Sequence, residues 1–224
     1  TYGEDGQIQK ILERNKILFT HSSSKSSKIA FNKNLTKLSI KETGVKFLDY
    51  VVCNKSQINK EFLENAFSRF KSFVIKPVSS GSSFGIKILK TPTDIENFIL
   101  KYDSEMIIYK NHDELMIEKY INGREMTVTV FEDNNKSESI AVTEIINKNN
   151  FFDYNAKYTK GLSSHIIPAN LTKEIYDKCM SYAKIIHDKI GCKNLSRSDF
   201  LFSEDEIYFL EINSQPGLTM TSLL

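Results

Sequence analysis

Arginine is scarce in this 224-residue chain. Only Arg14, Arg69, Arg124 and Arg197 occur among 30 basic residues, so each one is worth locating. With 28 acidic residues the formal net charge is +2, which gives no reason to invoke nucleic acid or a membrane surface as partner. Cysteine is equally sparse. Cys53, Cys179 and Cys192 are odd in number, widely spaced and contain no C-x-x-C, which argues against a disulfide framework or a zinc site and suits a reducing cytosol. No apolar run approaches the roughly 20 residues that a membrane span needs. A signal-peptide pattern is absent, but the chain opens with Thr1 in T-Y-G-E-D-G and stops at Leu223-Leu224, and both ends read as cut. His21, His112, His165 and His187 are scattered, with no His/Cys or Ser/His/Asp constellation at recognisable spacing. Internal repeats and low-complexity tracts are also missing.

What is present is enough apolar material for real cores, 40% hydrophobic with 11% aromatic, in one large domain or two small ones. The most informative stretch is 197–213, RSDFLFSEDEIYFLEIN, followed by Ser-Gln-Pro-Gly. Two apolar runs flank the acidic break Glu204–Glu206 and predict a β-hairpin. Side chains alternate along a strand, which puts Arg197, Asp199 and Leu201 on one face and Ile207, Phe209, Glu211 and Asn213 together on another. A three-residue loop without a bulge sets Asp199 opposite Glu211 and Arg197 opposite Asn213. A two-residue loop sets Leu210 opposite Asp199 instead. Like charges opposite each other are destabilising unless compensated. Two carboxylates and an amide oxygen suit a hard divalent cation such as Mg²⁺, although the same pattern also suits a solvated polar face.

Elsewhere the periodicity predicts a short helix around Ile8, Ile11 and Leu12, a Ser/Lys linker at 22–28, and a weakly amphipathic helix over 31–44 closed by Gly44, with Lys33 in its first turn. Taken alone, Lys33 reads as a surface lysine. Strands are expected at 45–52, 73–77, 86–89, 106–109, 115–118, 126–131 and 138–146. Helices are expected at 57–70, after a capping box at Thr93–Glu96, and over 172–190, where Ile175, Cys179, Tyr182, Ala183, Ile186 and Ile190 form one stripe. The segment V-S-S-G-S-S-F-G between two strands offers backbone N–H groups and hydroxyls that can wrap a phosphate. It is neither a Walker A loop nor a dinucleotide fingerprint. Lys76, ending an apolar run, needs an anionic partner or a route to water. Asn122-Gly123 predicts either a hairpin turn or a hinge between domains.

In order along the chain, V-I-K-P-x-x-x-G-S-S-x-G, E-K-Y-I-N-G-R-E, F-x-D-Y-x-A-K-Y, R-x-D-F, L-E-I-N-x-x-P-G and T-S-L resemble the D-alanine–D-alanine ligases of the ATP-grasp superfamily. The resemblance covers almost the whole chain. It implies an α+β, ATP-grasp fold in which two subdomains with antiparallel sheets enclose ATP. The expected division is 1–30 as the tail of an N-terminal substrate domain, 31–119 as the small central subdomain and 120–224 as the large C-terminal one. A preceding N-terminal domain and a closing C-terminal helix are expected to be missing.

The implied activity is ATP-dependent joining of two D-alanines through an acyl phosphate, for peptidoglycan precursors and thus cell-wall biogenesis and cell shape, in the cytoplasm. The implied roles are as follows. Lys33, Lys76 and Lys157 meet ATP phosphates, and Ser82, Ser83 and Gly85 cover them. Glu118, Lys119, Tyr120 and Ile121 form the hinge that reads adenine through backbone groups, and Glu125 binds ribose. Asp199, Glu211 and Asn213 hold two Mg²⁺ ions, with Mn²⁺ as an alternative. Arg197 binds the substrate carboxylate and stabilises the oxyanion, with Ser82 and Tyr158 as the other catalytic residues. Gly217, Ser222 and Leu223 receive the second D-alanine. Tyr158, where phenylalanine accompanies D-lactate use, points to D-alanine as second substrate. Full-length members of the family are expected to be homodimers that bind neither nucleic acid nor membrane. The alternatives are a truncated fragment that binds nucleotide without catalysis and a D-alanine–D-lactate type ligase.

Overall fold

A computed structural model describes residues 3–81, 84–147 and 163–217. They form two compact units, one from residues 48–122 and the other from 3–47, 123–147 and 163–217. Residues 31–47, grouped by sequence with the central segment, thus fall in the second of these units.

The unit of residues 48–122 is a four-stranded antiparallel sheet in the order β1-β4-β2-β3, from β1 (Tyr50–Asn54), β2 (Phe73–Pro77), β3 (Lys87–Leu89) and β4 (Glu114–Lys119). Helices α4 (Lys60–Phe70) and α5 (Pro92–Leu100) pack on one face. Leu63, Ala66 and Phe70 meet Phe73, Ile75, Leu115 and Ile117, with Ile95 and Phe98 completing the core. Strand alternation therefore turns Val74, Lys76, Met116 and Glu118 to the opposite face. Helix α5 is capped by Thr91 and Asp94, which exchange side-chain and backbone hydrogen bonds around Pro92, two residues before the expected box. The expected strand at 106–109 is the end of α6 (Tyr102–Met106) and a 3₁₀ turn, Ile107–Tyr109. An apolar run that short does not distinguish strand from helix.

The other unit is a five-stranded antiparallel sheet in the order β7-β6-β5-β8-β9, from β5 (Arg124–Asp133), β6 (Lys136–Asn147), β7 (Ser163–Ile166), β8 (Leu195–Ser203) and β9 (Glu206–Asn213). Helix α7 (Lys173–Ile190), capped by Thr172 and closed by left-handed Gly191, covers one face with Ile175, Cys179, Ala183, Ile186 and Ile190. These meet Met126, Val128 and Val130 of β5, Phe200 of β8, and Ile207, Phe209 and Ile212 of β9. Three helices precede the sheet: α1 (Gln7–Arg14), α2 (Ser24–Phe31) and α3 (Lys33–Ile40). The expected Ser/Lys linker is thus a helix. Its serines are used structurally: Ser23 caps α2, and Ser26 donates to the Gly191 carbonyl at 2.7 Å. The strand expected from residue 45 begins only at Tyr50, because the chain leaves one unit for the other at Phe47–Leu48 and joins β4 beyond that point. Likewise Asn122-Gly123 is no hairpin turn: β4 and β5 belong to different sheets, and the unit boundary falls between these residues.

Candidate active site

The polar face of the five-stranded sheet carries the hairpin residues. The loop between β8 and β9 is Glu204-Asp205, both at positive φ (51° and 60°), so it has two residues rather than three. Ser203 pairs with Glu206, Phe202 with Ile207, Leu201 with Tyr208 and Phe200 with Phe209. A register shift then makes Leu210 the extra residue, and Asp199 pairs with Glu211 and Arg197 with Asn213. The expected appositions are present, reached through a two-residue loop and a bulge. The expected face is corrected: Ile207 and Phe209 point into the core, whereas beyond the bulge it is Ile212 that does so, leaving Glu211 and Asn213 on the opposite side.

Asp199 is held from two directions. Thr127, its partner on β5, donates its hydroxyl to Oδ1 at 2.6 Å. Arg197 donates from Nε to Oδ1 at 3.1 Å and from Nη2 to Oδ2 at 3.3 Å. Glu211 is met by Lys33, whose Nζ lies 3.1 Å from Oε2. Lys33 is 7% exposed, so it is no surface lysine. It opens α3, whose N-cap Asn32 accepts from the Leu35 amide at 2.8 Å. Lys33, Lys37 and Ile40 are spaced four and three apart and share the buried face of that helix. Glu125 and Thr129 continue the row from Thr127 on β5. The Nδ2 of Asn213 is buried without a hydrogen-bond partner among the described residues. Exchanging amide N for O there would place an acceptor in that position, the atom a hard cation takes. No cluster of three His, Cys, Asp or Glu residues exists among the described residues. Asp199, Glu211 and Asn213 bring two carboxylates and one amide to this face, groups that could hold a hard cation rather than a softer metal.

The four-stranded sheet carries a second set. Lys76 and Glu118, 7% and 2% exposed, form an ion pair at 2.5 Å from adjacent strands. The anion that Lys76 requires is thus supplied by the first residue of the expected hinge. Burial, and next to it the Glu118 charge, raises the phenol pKa of Tyr50, the β1 partner of Glu118. At the hinge, the Lys119 amide donates to the Asp49 carbonyl at 2.9 Å. The Tyr120 amide donates to the Ser72 carbonyl at 2.9 Å, and its own carbonyl accepts from the Ser72 hydroxyl at 3.1 Å. Ile121 follows outside any helix or strand. Gly85 sits at φ 69°, with its carbonyl accepting from the Tyr109 hydroxyl at 2.8 Å. A Cβ there would come within 3.1 Å of both Pro77 and Tyr109. The far end of the serine-glycine loop is thereby tied to the 3₁₀ turn at Tyr109.

Ser82, Ser83, Lys157, Tyr158, Ser222 and Leu223 lie outside the described residues. Gly217 is exposed at the end of the last described segment. The three cysteines are buried, and burial pushes their thiols up, to about 11 at Cys53 and about 12 at Cys179 and Cys192, which keeps them inert. Sequence reasoning missed Thr127, for which a single threonine in a strand gives no signal. It also missed the burial of Lys33 and Lys37, which their spacing from Ile40 could have indicated.

Known proteins resemble the chain along its whole length. Residues 39–224 match the family described as D-ala D-ala ligase C-terminus. A D-alanine–D-alanine ligase of Sinorhizobium fredii is 40% identical over 227 residues, an overlap that takes in 100% of this chain and 70% of the relative. The D-alanine–D-alanine ligase of Bacillus anthracis complexed with ATP is 28% identical, with a TM-score of 0.77 over 100% of this chain and 68% of that one. A VanG D-Ala:D-Ser ligase from Enterococcus faecalis is 30% identical, with a TM-score of 0.78 over 98% of this chain and 62% of that one. The fold is α+β and of ATP-grasp type, no described helix is long and apolar enough to cross a membrane, and the chain belongs to the D-alanine–D-alanine ligase family.

Proposed function

We propose that this chain carries the nucleotide and metal chemistry of an ADP-forming ligase that joins two D-alanines through an acyl phosphate. The product serves peptidoglycan synthesis in the cytoplasm, and full-length members of the family act as homodimers. The observation that carries the reading is the apposition of Asp199 and Glu211 on β8 and β9, each beside a cation of the chain. Structural repulsion of this kind is kept where it has a use.

Asp199, Glu211 and the Asn213 amide would hold Mg²⁺, which when bound neutralises charge on the phosphates and on the phosphoryl group in transfer. The chain's own residues perform the rest. Thr127 fixes the orientation of the Asp199 carboxylate. Arg197, on the same face, aims a planar set of donors at the substrate carboxylate and at the oxyanion formed when the amine attacks. Lys33 and Lys76 contribute positive charge to the phosphates. Gly85, anchored by Tyr109, sets one end of the loop whose Ser82 and Ser83 cover them and exclude water. Backbone groups from Glu118 to Ile121 receive adenine, Glu125 takes the ribose, and Lys157 meets the γ-phosphate. Tyr158 selects D-alanine, and Gly217, Ser222 and Leu223 seat the second one.

The test is calorimetric titration with a non-hydrolysable ATP analogue, with and without Mg²⁺, beside ADP release measured with and without D-alanine. Mg²⁺-dependent binding lost in an Asp199→Ala, Glu211→Ala variant, together with D-alanine-dependent ADP release, is the expected result. Binding that ignores both carboxylates would overturn the site. A second reading, nucleotide binding without catalysis, is favoured by one observation: the chain spans 70% of the relative's length. It predicts the same binding with no response of ADP release to D-alanine.

A further inference from the structure

Glu211 is engaged by a cation of the chain itself. Its Oε2 faces the ammonium of Lys33 at 3.1 Å, with the lysine 7% and the glutamate 24% exposed. An ammonium that far out of water requires an anion. Asp199 is held by Arg197 in the same way. Each carboxylate of the proposed metal pair is thus neutralised by the chain itself, where a divalent ion would otherwise do so. The two cations offset the repulsion that the Asp199–Glu211 apposition creates.

These two cations differ in kind. Arg197 stands two residues from Asp199 on the same strand. Lys33 comes from another element, on a flexible stem that ends in a compact charge. An ammonium and a divalent ion cannot share one carboxylate oxygen without strong repulsion. We infer that Lys33 is a stand-in cation: it keeps Glu211 closed to free divalent ions until a polyphosphate draws the ammonium away. This rests on the reading of Glu211 as a metal ligand. Metal and nucleotide are then coupled through one side chain, and each raises the affinity for the other by the same factor. The nucleotide-free chain takes metal only weakly, and the complex forms most readily with both partners together.

The experiment is titration of the nucleotide-free 224-residue chain with Mn²⁺ alone, read from the loss of the free-ion electron paramagnetic resonance signal. Lys33→Met removes the competitor and is expected to tighten Mn²⁺ binding roughly fivefold, the effect of an ion pair worth about 1 kcal/mol. Adding Glu211→Gln to that variant abolishes the gain. Lys33→Arg keeps the charge and offers the carboxylate a planar, bidentate fork, so it weakens Mn²⁺ binding below wild type. Misfolding cannot produce these opposite directions. If Lys33→Met leaves Mn²⁺ binding unchanged or weaker, while Glu211→Gln alone weakens it, the metal site stands and the stand-in role is wrong. Should Lys33→Met fail to fold, Mn²⁺ affinity at or above wild type in Lys33→Arg overturns the inference by itself. If Glu211→Gln and Asp199→Asn both leave Mn²⁺ binding untouched, the metal-site reading fails and the inference falls with it.

Discussion

Removing Lys76 should take its cation from a buried carboxylate. Lys76 and Glu118 are 7% and 2% exposed and lie on neighbouring strands, β2 and β4, with Nζ 2.5 Å from Oε2. At an effective dielectric of about 20, two unit charges ~3 Å apart attract by roughly 5–6 kcal/mol. Desolvation of both groups consumes most of that, so the intact pair adds little net stability. Its disruption is another matter: removing one partner of a buried pair costs about 3–5 kcal/mol. Lys76→Met is therefore expected to lower unfolding stability by about that amount. Lys76→Met with Glu118→Leu, which removes both charges, should return to within roughly 1 kcal/mol of wild type. Because the chain has no tryptophan, urea unfolding is followed by far-UV ellipticity. Tyr50 offers an internal reporter. Its phenol is raised first by burial and then by the Glu118 charge, so Glu118→Gln should bring its titration down toward the ordinary tyrosine range. A Lys76→Met cost below about 1 kcal/mol, or a double variant as unstable as the summed singles, would refute the buried-pair reasoning.

Three further outcomes are expected. Gly123→Ala places a Cβ 2.7 Å from both Leu201 Cγ and the Phe202 carbonyl oxygen; because one of these is backbone, the variant should lose about 1–3 kcal/mol in thermal unfolding, and an unchanged Tm would contradict the close approach. Thr127→Val deletes the 2.6 Å hydrogen bond to Asp199, a charge-assisted contact worth about 1.5–3 kcal/mol, so Mg²⁺-dependent nucleotide binding should weaken at least tenfold while secondary structure is retained by circular dichroism. His187 is buried between Ser196 (2.8 Å) and Glu132 (3.4 Å), near Asp188, Lys184 and Lys193, and burial holds its folded pKa below the ordinary 6.5. The unfolded chain then takes up a proton near pH 6.5 that the folded chain refuses, so stability falls as pH drops from there toward the folded value. His187→Gln should remove that slope in pH-dependent urea midpoints. The loss at lower pH should remain, because Glu132 and Asp188, though raised by burial, are held below their ordinary range by hydrogen bonds and charges around them, and their contribution disappears as they protonate.

The family and the fold were legible because ordered motifs carry information that no single element does. The long helix over 173–190 and the strands at 73–77 and 124–133 follow from periodicity and caps. Elements whose apolar signal is weak were harder to place. Helix α2 is a run of serines and lysines, yet Ser26 and Ser27 are buried because their hydroxyls satisfy backbone carbonyls. The run at 106–109 is apolar enough for a strand, but its Tyr109 is tied to Gly85 from a 3₁₀ turn. The candidate site follows the same division. Residue types at Asp199, Glu211 and Lys76 announce charge chemistry in sequence. The pairings that neutralise them, Lys33 with Glu211 and Lys76 with Glu118, depend on elements 178 and 42 residues apart and become visible only once the sheets are assembled.

The bulge at Leu210 shows why local rules alone misplace such a site. In a regular ladder, the two-residue loop at Glu204-Asp205 would carry the alternation of Ile207 and Phe209 onward to Glu211. That would direct a carboxylate into the core against α7 and leave Leu210 opposite Asp199. The extra residue reverses the phase at one point. Ile212 then resumes the core behind Ile207 and Phe209, while Glu211 and Asn213 turn to the face that already holds Arg197, Asp199 and Thr127. A single inserted residue thereby satisfies two demands that strict alternation sets against each other: a continuous hydrophobic face for α7, and two carboxylates opposed closely enough to need a cation. The repulsion so created has no structural use. It is offset by Arg197 and Lys33, and the ion proposed for this face would relieve it with a charge that neither side chain can match.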